Sequence, residues 1–413
     1  MNTPRPSMLT LDEALSRLLG AVSPLAETEI VSTFDGLGRV LAQEVRSLVD
    51  VPSADNSAMD GYALRSADVP ASGTVLPISQ RIPAGTVGAP LQAGTAARIF
   101  TGALVPDGAD AVVMQEQCEA LDGSVRINTE PKPGTAIRRR GEDLSRDDVA
   151  LPRGLRLTAQ ALGLAATAGA ATLAVARRPR VALFSTGDEL AMPGEPLKPG
   201  AIYNSNRFTL RALIQALGCE CTDLGIVPDQ LEATRDALRR AAQGHDLIVT
   251  SGGVSVGEED HLKPAVQAEG ALDLWQMAIK PGKPLAFGSV RRAEGDESTG
   301  KAWFVGLPGN PVSSFVTFLL AVRPLLLKLQ GATALQPVGV PMRADFDWPR
   351  ADKRREFLRA RRNERGGLDL FTNQGSGVLT STVWADGLID NPPDTPIRAG
   401  DTVRFIALAE WVA

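Results

Sequence analysis

Between Thr250 and Ser313 three turns rich in glycine and proline each follow a β-prone run. Ser251-Gly252-Gly253-Val254-Ser255-Val256-Gly257-Glu258-Glu259-Asp260 follows residues 246–249. Lys280-Pro281-Gly282-Lys283-Pro284 follows residues 275–279, and Leu307-Pro308-Gly309-Asn310-Pro311-Val312-Ser313 follows residues 303–306. Glycines let backbone N–H groups turn toward an anion, and lysines add positive charge. In an open α/β sheet, loops at the carboxyl ends of strands line the ligand crevice. Three such loops with two lysines and a carboxylate among them describe a pocket for a phosphorylated or oxyanionic ligand.

The acids near these loops carry a second signal. Ser185-Thr186-Gly187-Asp188-Glu189 and Val227-Pro228-Asp229 also follow β-prone runs, as does the run ending in Asp260. Parallel neighbours would bring Glu189, Asp229 and Asp260 side by side, where Mg²⁺ could lie between them and ligand phosphates. Aspartate also caps helices well, so Asp188, Asp229 and Asp260 have a structural reading too. For Asp229 the two readings stand level, whereas Glu258 and Glu259 beside Asp260 favour function. Pro311 fits the first turn of a helix with Asn310 as its cap, and that N-terminus with Ser313 and Ser314 is also an anion site. Further back, Asp60 lies in a polar turn, Asp55-Asn56-Ser57-Ala58-Met59-Asp60-Gly61, and matters only if it faces the pocket. The run Ile137-Arg138-Arg139-Arg140-Gly141-Glu142-Asp143 is either solvated or an arginine fork for phosphate.

These residues need a scaffold. At 413 residues the chain exceeds one ordinary core, so two to four domains are expected. A hydrophobic content of 44% with 22% charged residues is that of a soluble globular protein. A net charge of −5 gives no basic footprint for nucleic acid. Three cysteines make no disulfide framework, and Cys219-x-Cys221 lacks the second pair of a zinc site. With only His245 and His261 besides, any metal should be a hard one held by oxygens. The start lacks the charged and apolar stretches of a signal peptide. The most apolar segment, residues 315–327, is interrupted by Arg323 and Pro324 and reads as a buried helix too short for a bilayer. A cytoplasmic protein without a membrane partner is expected.

Along the chain, Thr10 and Glu13 form a capping box before a helix with Leu11, Ala14, Leu15, Leu18 and Leu19 on one face. Residues 27–46 form a short segment turning at Asp35-Gly36, and short β-prone runs from 46 to 141 predict a small all-β module. An alanine-rich helix is expected over 158–171. Beyond Arg177-Arg178-Pro179, strands at 181–184, 220–226 and 247–250 alternate with helices at 205–217 and 230–242. A helix after Asp260, strands at 272–279, 284–290 and 302–306, and a helix from Val312 complete a mainly parallel, three-layer sheet. Residues 291–301 read as a solvated hairpin tip, and the chain turns β-rich again from about residue 331.

A Walker loop and a G-x-G-x-x-G are both missing from the sequence, which excludes P-loop kinases and standard dinucleotide dehydrogenases. The motifs that are present resemble, in order and essentially end to end, the MoeA-type molybdopterin molybdenumtransferases, including the E domain of eukaryotic homologues such as gephyrin. The resemblance rests on Asn56-Ser57-Ala58-Met59-Asp60-Gly61-Tyr62-Ala63, Phe100-Thr101-Gly102-Ala103, Ile137-Arg138 with Gly141-Glu142-Asp143, and Ser185-Thr186-Gly187-Asp188-Glu189-Leu190. It continues through the three turns above to Gly375-Ser376-Gly377-Val378-Leu379.

The resemblance implies the last step of molybdenum cofactor assembly: molybdate and adenylylated molybdopterin react, the metal enters the dithiolene, and AMP leaves in a Mg²⁺-dependent reaction. It implies a multidomain α/β plus β fold: a central three-layer α/β molybdopterin-binding domain (1–26 and 177–330), a small linking domain (27–46 and 147–176), an inserted β module (47–146) and a C-terminal β-barrel (331–413). It implies a homodimer in which Asp60 and Thr101 of one subunit approach the central domain of the other, and other cofactor-assembly proteins as possible partners. The catalytic set carried over is Asp60, Thr101, Glu189, Asp229, Asp260, Lys280 and Lys283, with Glu189, Asp229 and Asp260 toward Mg²⁺. Substrate contacts are expected at Arg138, Asp143, Ser251, Gly252, Gly253, Ser255, Pro308, Asn310, Pro311, Ser313 and Ser376. The run Arg138-Arg139-Arg140 is more basic than this chemistry requires. Two alternatives stand beside this reading: a molybdopterin adenylyltransferase, which resembles residues 177–327 alone, and a non-catalytic scaffold of the gephyrin kind.

Overall fold

The computed structural model describes residues 8–253, 261–292 and 300–412. Its centre is a six-stranded sheet in the order Glu220–Val227, Arg180–Thr186, Leu247–Ser251, Lys301–Leu307, Pro284–Arg291, Gly270–Gln276. The first four strands are parallel. The last two join by antiparallel pairings, so the sheet is mainly parallel, as expected, with one reversed strand, Pro284–Arg291, that makes it mixed. The described residues between 270 and 307 carry no helix between their strands, and alternating apolar residues encode the pleat without encoding strand direction. The middle of the segment read as a hairpin tip, residues 293–299, lies outside the described residues.

Both faces of this sheet are covered, because consecutive apolar residues of each strand point to opposite sides. Val181, Leu183, Leu247 and Val249 pack with Leu11, Leu18, Leu210, Ile214 and the helix from Pro311. Ala182, Phe184, Ile248 and Phe304 pack with Ala237, Leu238, Ala241, Leu262 and Ala265. The opening helix, Leu11–Ala21, has its capping box: Glu13 N–H donates to the Thr10 hydroxyl, and Thr10 N–H donates to Glu13.

Pro311–Leu329 is a 19-residue helical run, long and apolar enough by length and composition to cross a membrane, yet 89% of its apolar window is buried in this core. Arg323 within it is buried but satisfied by the carbonyls of Trp411, Leu335 and Glu410. The turn before Pro324, Phe318–Val322, widens to π geometry, which absorbs the N–H that proline lacks.

In the N-terminal half, Thr28–Ser32 pairs with Thr172–Ala176, and Val45–Arg46 with Val149–Leu151, around a core of Leu41, Leu157, Leu173 and Val175. The alanine-rich helix runs from Ala159 to Thr167, shorter than its composition suggests, and Gly169 beyond it takes φ +89°. Between these pairs lies a second six-stranded sheet, in the order Ala111–Met114, Gly61–Leu64, Ala96–Ile99, Thr74–Ile82, Ser124–Ile127, Cys118–Leu121. Tyr62 and Leu64 fill one side of it, and Ala63, Ile99 and Val112 the other.

The C-terminal strands Val340–Arg343, Thr402–Ala407, Gly387–Asn391, Arg355–Arg362 and Leu368–Leu370 pair in that spatial order. A bridge between Ala344 and Leu368 returns the pairing to its first strand. The segment expected as one strand over 272–279 divides, since Ile279–Lys280 leaves the central sheet to pair in parallel with Arg355 and Glu356. Phe357, Leu388 and Ile406 join the central core, whereas Leu358, Ile389 and Phe405 fill the C-terminal module. Phe304 is fully buried and Phe34 is 96% exposed. Phe304→Ala is therefore expected to cost about 3–5 kcal/mol and Phe34→Ala less than about 0.5 kcal/mol. The check is the denaturation midpoint followed through Trp275 and Trp303, which flank Phe287 at ring-centroid distances of 5.4 Å.

Candidate active site

At the carboxyl ends of the parallel strands lies a cleft of about 980 Å³. Its floor is backbone. Gly252 has φ +93°, its N–H donates to Leu307 O at 3.1 Å, and a Cβ there would meet Thr186 O at 2.7 Å. Only glycine lets these strand-end turns pack so closely. Thr186, Ser251, Gly252, Gly253 and Pro308 line this part, with Ser251 Oγ 3.3 Å from Ser185 Oγ.

Glu189 and Asp229 line the same cleft, as the parallel pairing of their strands requires. Glu189 folds back over Gly187, where a Cβ would lie 2.6 Å from its Oε2. Asp229 caps no helix: Leu231–Ala242 starts after Gln230, and the Asp229 N–H donates to Asp188 Oδ1 at 3.2 Å. That removes the structural reading of Asp229. Asp260 and Ser255 lie outside the described residues, and the helix that follows, Leu262–Glu269, begins after His261. Among the described residues no group of three His, Cys, Asp or Glu side chains stands ready to hold a metal. Two hard carboxylates in one cleft are nevertheless what a Mg²⁺ completed by phosphate oxygens and water takes from a protein, so the donor set fits that ion.

Lys280 and Lys283 line the cleft from the turn that joins the two antiparallel strands. Gly282 between them has φ +107°, and a Cβ there would meet Thr317 Oγ1 at 2.3 Å. Lys280 Nζ lies 3.1 Å from Glu356 Oε1 and 3.4 Å from Asp352 Oδ2. Lys283 has no side-chain partner among the described residues and is exposed. The acids thus sit over one end of the row of strands and the lysines over the other, with the glycine turns between.

The helix from Pro311 opens into the cleft beside Ser313. Asn310 holds the cap position, but its side chain makes no capping bond, contrary to the expected cap. The Val312 N–H instead donates to Ser376 O at 2.9 Å, which docks the Gly375-Ser376-Gly377 turn against the helix start. Arg359 braces that turn from behind by donating to Gly375 O at 3.2 Å, and burial pushes its guanidinium down to about 10.

Asp60, Thr101, Arg138 and Asp143 do not line this cleft; they belong to the inserted sheet and its base. Thr101 donates its backbone N–H and its hydroxyl to Asp60 Oδ1, each at 2.8 Å, and these bonds hold the Asp60 carboxyl below its ordinary value. Arg138 pairs through its backbone with Asn56 and is exposed. The basic run has a structural use: Arg139 and Arg140 grip Asp55 and Asp50 at 2.5 and 2.6 Å.

Several cleft residues carried no sequence signal that singled them out. Asn204 caps Ser205–Ala216 through Oδ1, while its buried Nδ2 has no hydrogen-bond partner. Its place between a β-prone run and a helix was the available clue. Arg354 and Gln374 also line the cleft, and Arg354 makes a two-point pair with Asp352.

Family comparisons agree with this geometry along the whole chain. Residues 9–169 match the MoeA N-terminal region (domain I and II), residues 182–328 a probable molybdopterin binding domain, and residues 341–408 the MoeA C-terminal region (domain IV). A molybdopterin molybdenumtransferase of Haemophilus influenzae is 40% identical over 405 residues, covering 96% of this chain and 98% of that protein. A Nostoc protein of the same name is 36% identical over 418 residues, with 98% and 94% covered. The crystal structure of the molybdopterin biosynthesis MoeA protein from Pyrococcus horikoshii superposes with a TM-score of 0.82 at 28% identity, covering 97% of this chain and all of that one. A mixed multidomain fold, a cleft at its strand ends and full-length similarity together make this chain a member of the MoeA family of molybdopterin molybdenumtransferases.

Proposed function

We propose that this cleft inserts molybdenum from molybdate into adenylylated molybdopterin and releases AMP, the last step of molybdenum cofactor assembly. The observation that carries the reading is the meeting of Glu189 and Asp229 with Lys280, Lys283 and Ser376 in one cleft. A tetrahedral dianion asks for cations, hydroxyls and backbone N–H groups. Lys283, Ser313, Ser376 and the turn at Gly252 and Gly253 supply them. Glu189 and Asp229, with Asp260, would hold Mg²⁺, whose charge offsets that developing on the phosphate when the phosphoanhydride is cleaved. The C-terminal module forms one wall of the cleft through Arg354, Gln374 and Ser376. This favours the full-length reaction over an adenylyltransferase built from the central unit alone.

Glu189, Asp229 and Lys283, which have no ionic partner among the described residues, argue against a scaffold that has lost its catalysis. The four-unit division at 1–26 with 177–330, 27–46 with 147–176, 47–146 and 331–413 belongs to this reading, as does a C-terminal barrel, which the Ala344–Leu368 bridge supports. So does a cytoplasmic homodimer in which Asp60 and Thr101 complete the partner's cleft.

Four outcomes test the proposal. AMP release from the adenylylated pterin should stop in EDTA and return with added Mg²⁺; full turnover in EDTA would remove the metal assignment. Lys283→Ala should raise the molybdate concentration for half-maximal cofactor formation about ten- to a hundredfold, the worth of a charge-assisted bond of about 1.5–3 kcal/mol. Asp229→Ala should instead lose AMP release at any molybdate concentration, and rescue by excess molybdate would reverse the two roles. Finally, Asp60→Ala and Asp229→Ala proteins, each inactive alone, should regain part of the activity after subunit exchange. Exchange without recovery would place both residues in one subunit's site.

A further inference from the structure

Glu356 is fully buried in the C-terminal module and does not reach the cleft, yet its Oε1 lies 3.1 Å from the ammonium of Lys280, 76 residues earlier in the chain. Its Oε2 accepts from Trp348 Nε1 at 2.8 Å and from the Asp352 N–H at 3.2 Å. The same two residues are also paired through their backbones, Lys280 with Glu356 and Ile279 with Arg355. We propose that Glu356 is a positioning residue for the reaction: it fixes the Lys280 ammonium at the cleft wall so that one N–H remains for the oxyanion. This rests on the reading of the cleft as the oxyanion site.

The donor count leads there. An ammonium has three N–H donors and no acceptor. Glu356 engages one of them in a hydrogen bond, Asp352 lies at ion-pair distance, and the Lys280 side chain remains 36% exposed within the cleft lining, so the ammonium keeps a donor for a ligand. A lysine on a mobile four-carbon stem loses rotamer freedom when it grips a ligand. One already held by a buried carboxylate has lost that freedom in folding, so the oxyanion meets a donor that is in place. Asp352 is less suited to the task. It is partly exposed, and Arg354 takes both of its oxygens at 2.9 Å.

Glu356→Gln separates this role from packing. The amide keeps the shape and retains one oxygen for Trp348 and the Asp352 N–H, while its NH₂ is turned as a donor against the donor Lys280. AMP release is measured against molybdate concentration for wild type, Glu356→Gln, Lys280→Met and the double variant. We expect Glu356→Gln to raise the half-saturating molybdate concentration about tenfold with the rate at saturation kept, and the double variant to be no worse than Lys280→Met alone. Multiplied effects in the double variant, or a wild-type response of Glu356→Gln, overturn the proposal. If Glu356→Gln does not fold, amine-reactive labelling of the wild-type protein decides, read by peptide mass spectrometry. Lys280 should label more slowly than Lys283, and equal labelling overturns the proposal. A wild-type protein that releases AMP without any molybdate dependence would instead sink the reading of the cleft, and the labelling would still test the strut.

Discussion

Three parallel strands end side by side, and the turns that leave them pack backbone against backbone; the rest of the site depends on that approach. Leu247–Ser251 hydrogen-bonds in register with Arg180–Thr186 on one side and Lys301–Leu307 on the other. Gly252 then passes so near Thr186 O that no side chain fits. A floor of peptide groups follows, and charge can enter only from the rim. The acids come from the two strands at one end of the row, and the lysines from the hairpin turn at the other.

The C-terminal module is a structural part of the cleft. Two residues separate the central sheet's edge strand Gly270–Gln276 from Ile279–Lys280, which pairs in the other sheet, so the lysine turn is held from both sides. The chain end returns to the same core, with Trp411 buried beside Arg323, whose guanidinium satisfies the carbonyls of Trp411 and Glu410. Removing the module would therefore take Phe357 and Ile406 out of the central core and open one wall of the cleft.

Local signals made much of this legible. The capping box at Thr10, the strand ends before Gly187, Gly252 and Gly309, and the Pro-Gly turn between the lysines all act over a few residues, and each stands where the sequence puts it. Strand direction was not legible beyond residue 270, because the pleat repeats every two residues in either direction. The break at Met277 was hidden for a similar reason: Ile279 is apolar and buried in either sheet. Glu356 sits in the charged run Arg354-Arg355-Glu356 before Phe357, where nothing local marks it for burial, and its partner is a lysine far back in the chain. The arginine run left two readings open, since Asp50 and Asp55, which it grips, lie 84 to 90 residues before it.

Charge placement suits the cleft to a ligand that brings both signs of demand. Among the described residues Glu189 and Asp229 have no cationic partner, and Lys283 has no anionic one, although all three share one cleft. Had the acids and lysines stood within about 4 Å, they would have neutralised each other as ordinary surface pairs of small worth. The sheet prevents this by setting strands between them. Lys280 is the exception, and its partner is a buried carboxylate. What remains unpaired is an acidic end suited to a cation-bridged phosphate and a basic end suited to an oxyanion. A phosphorylated pterin that must meet molybdate makes both demands at once, and a nucleotide alone would use only the first.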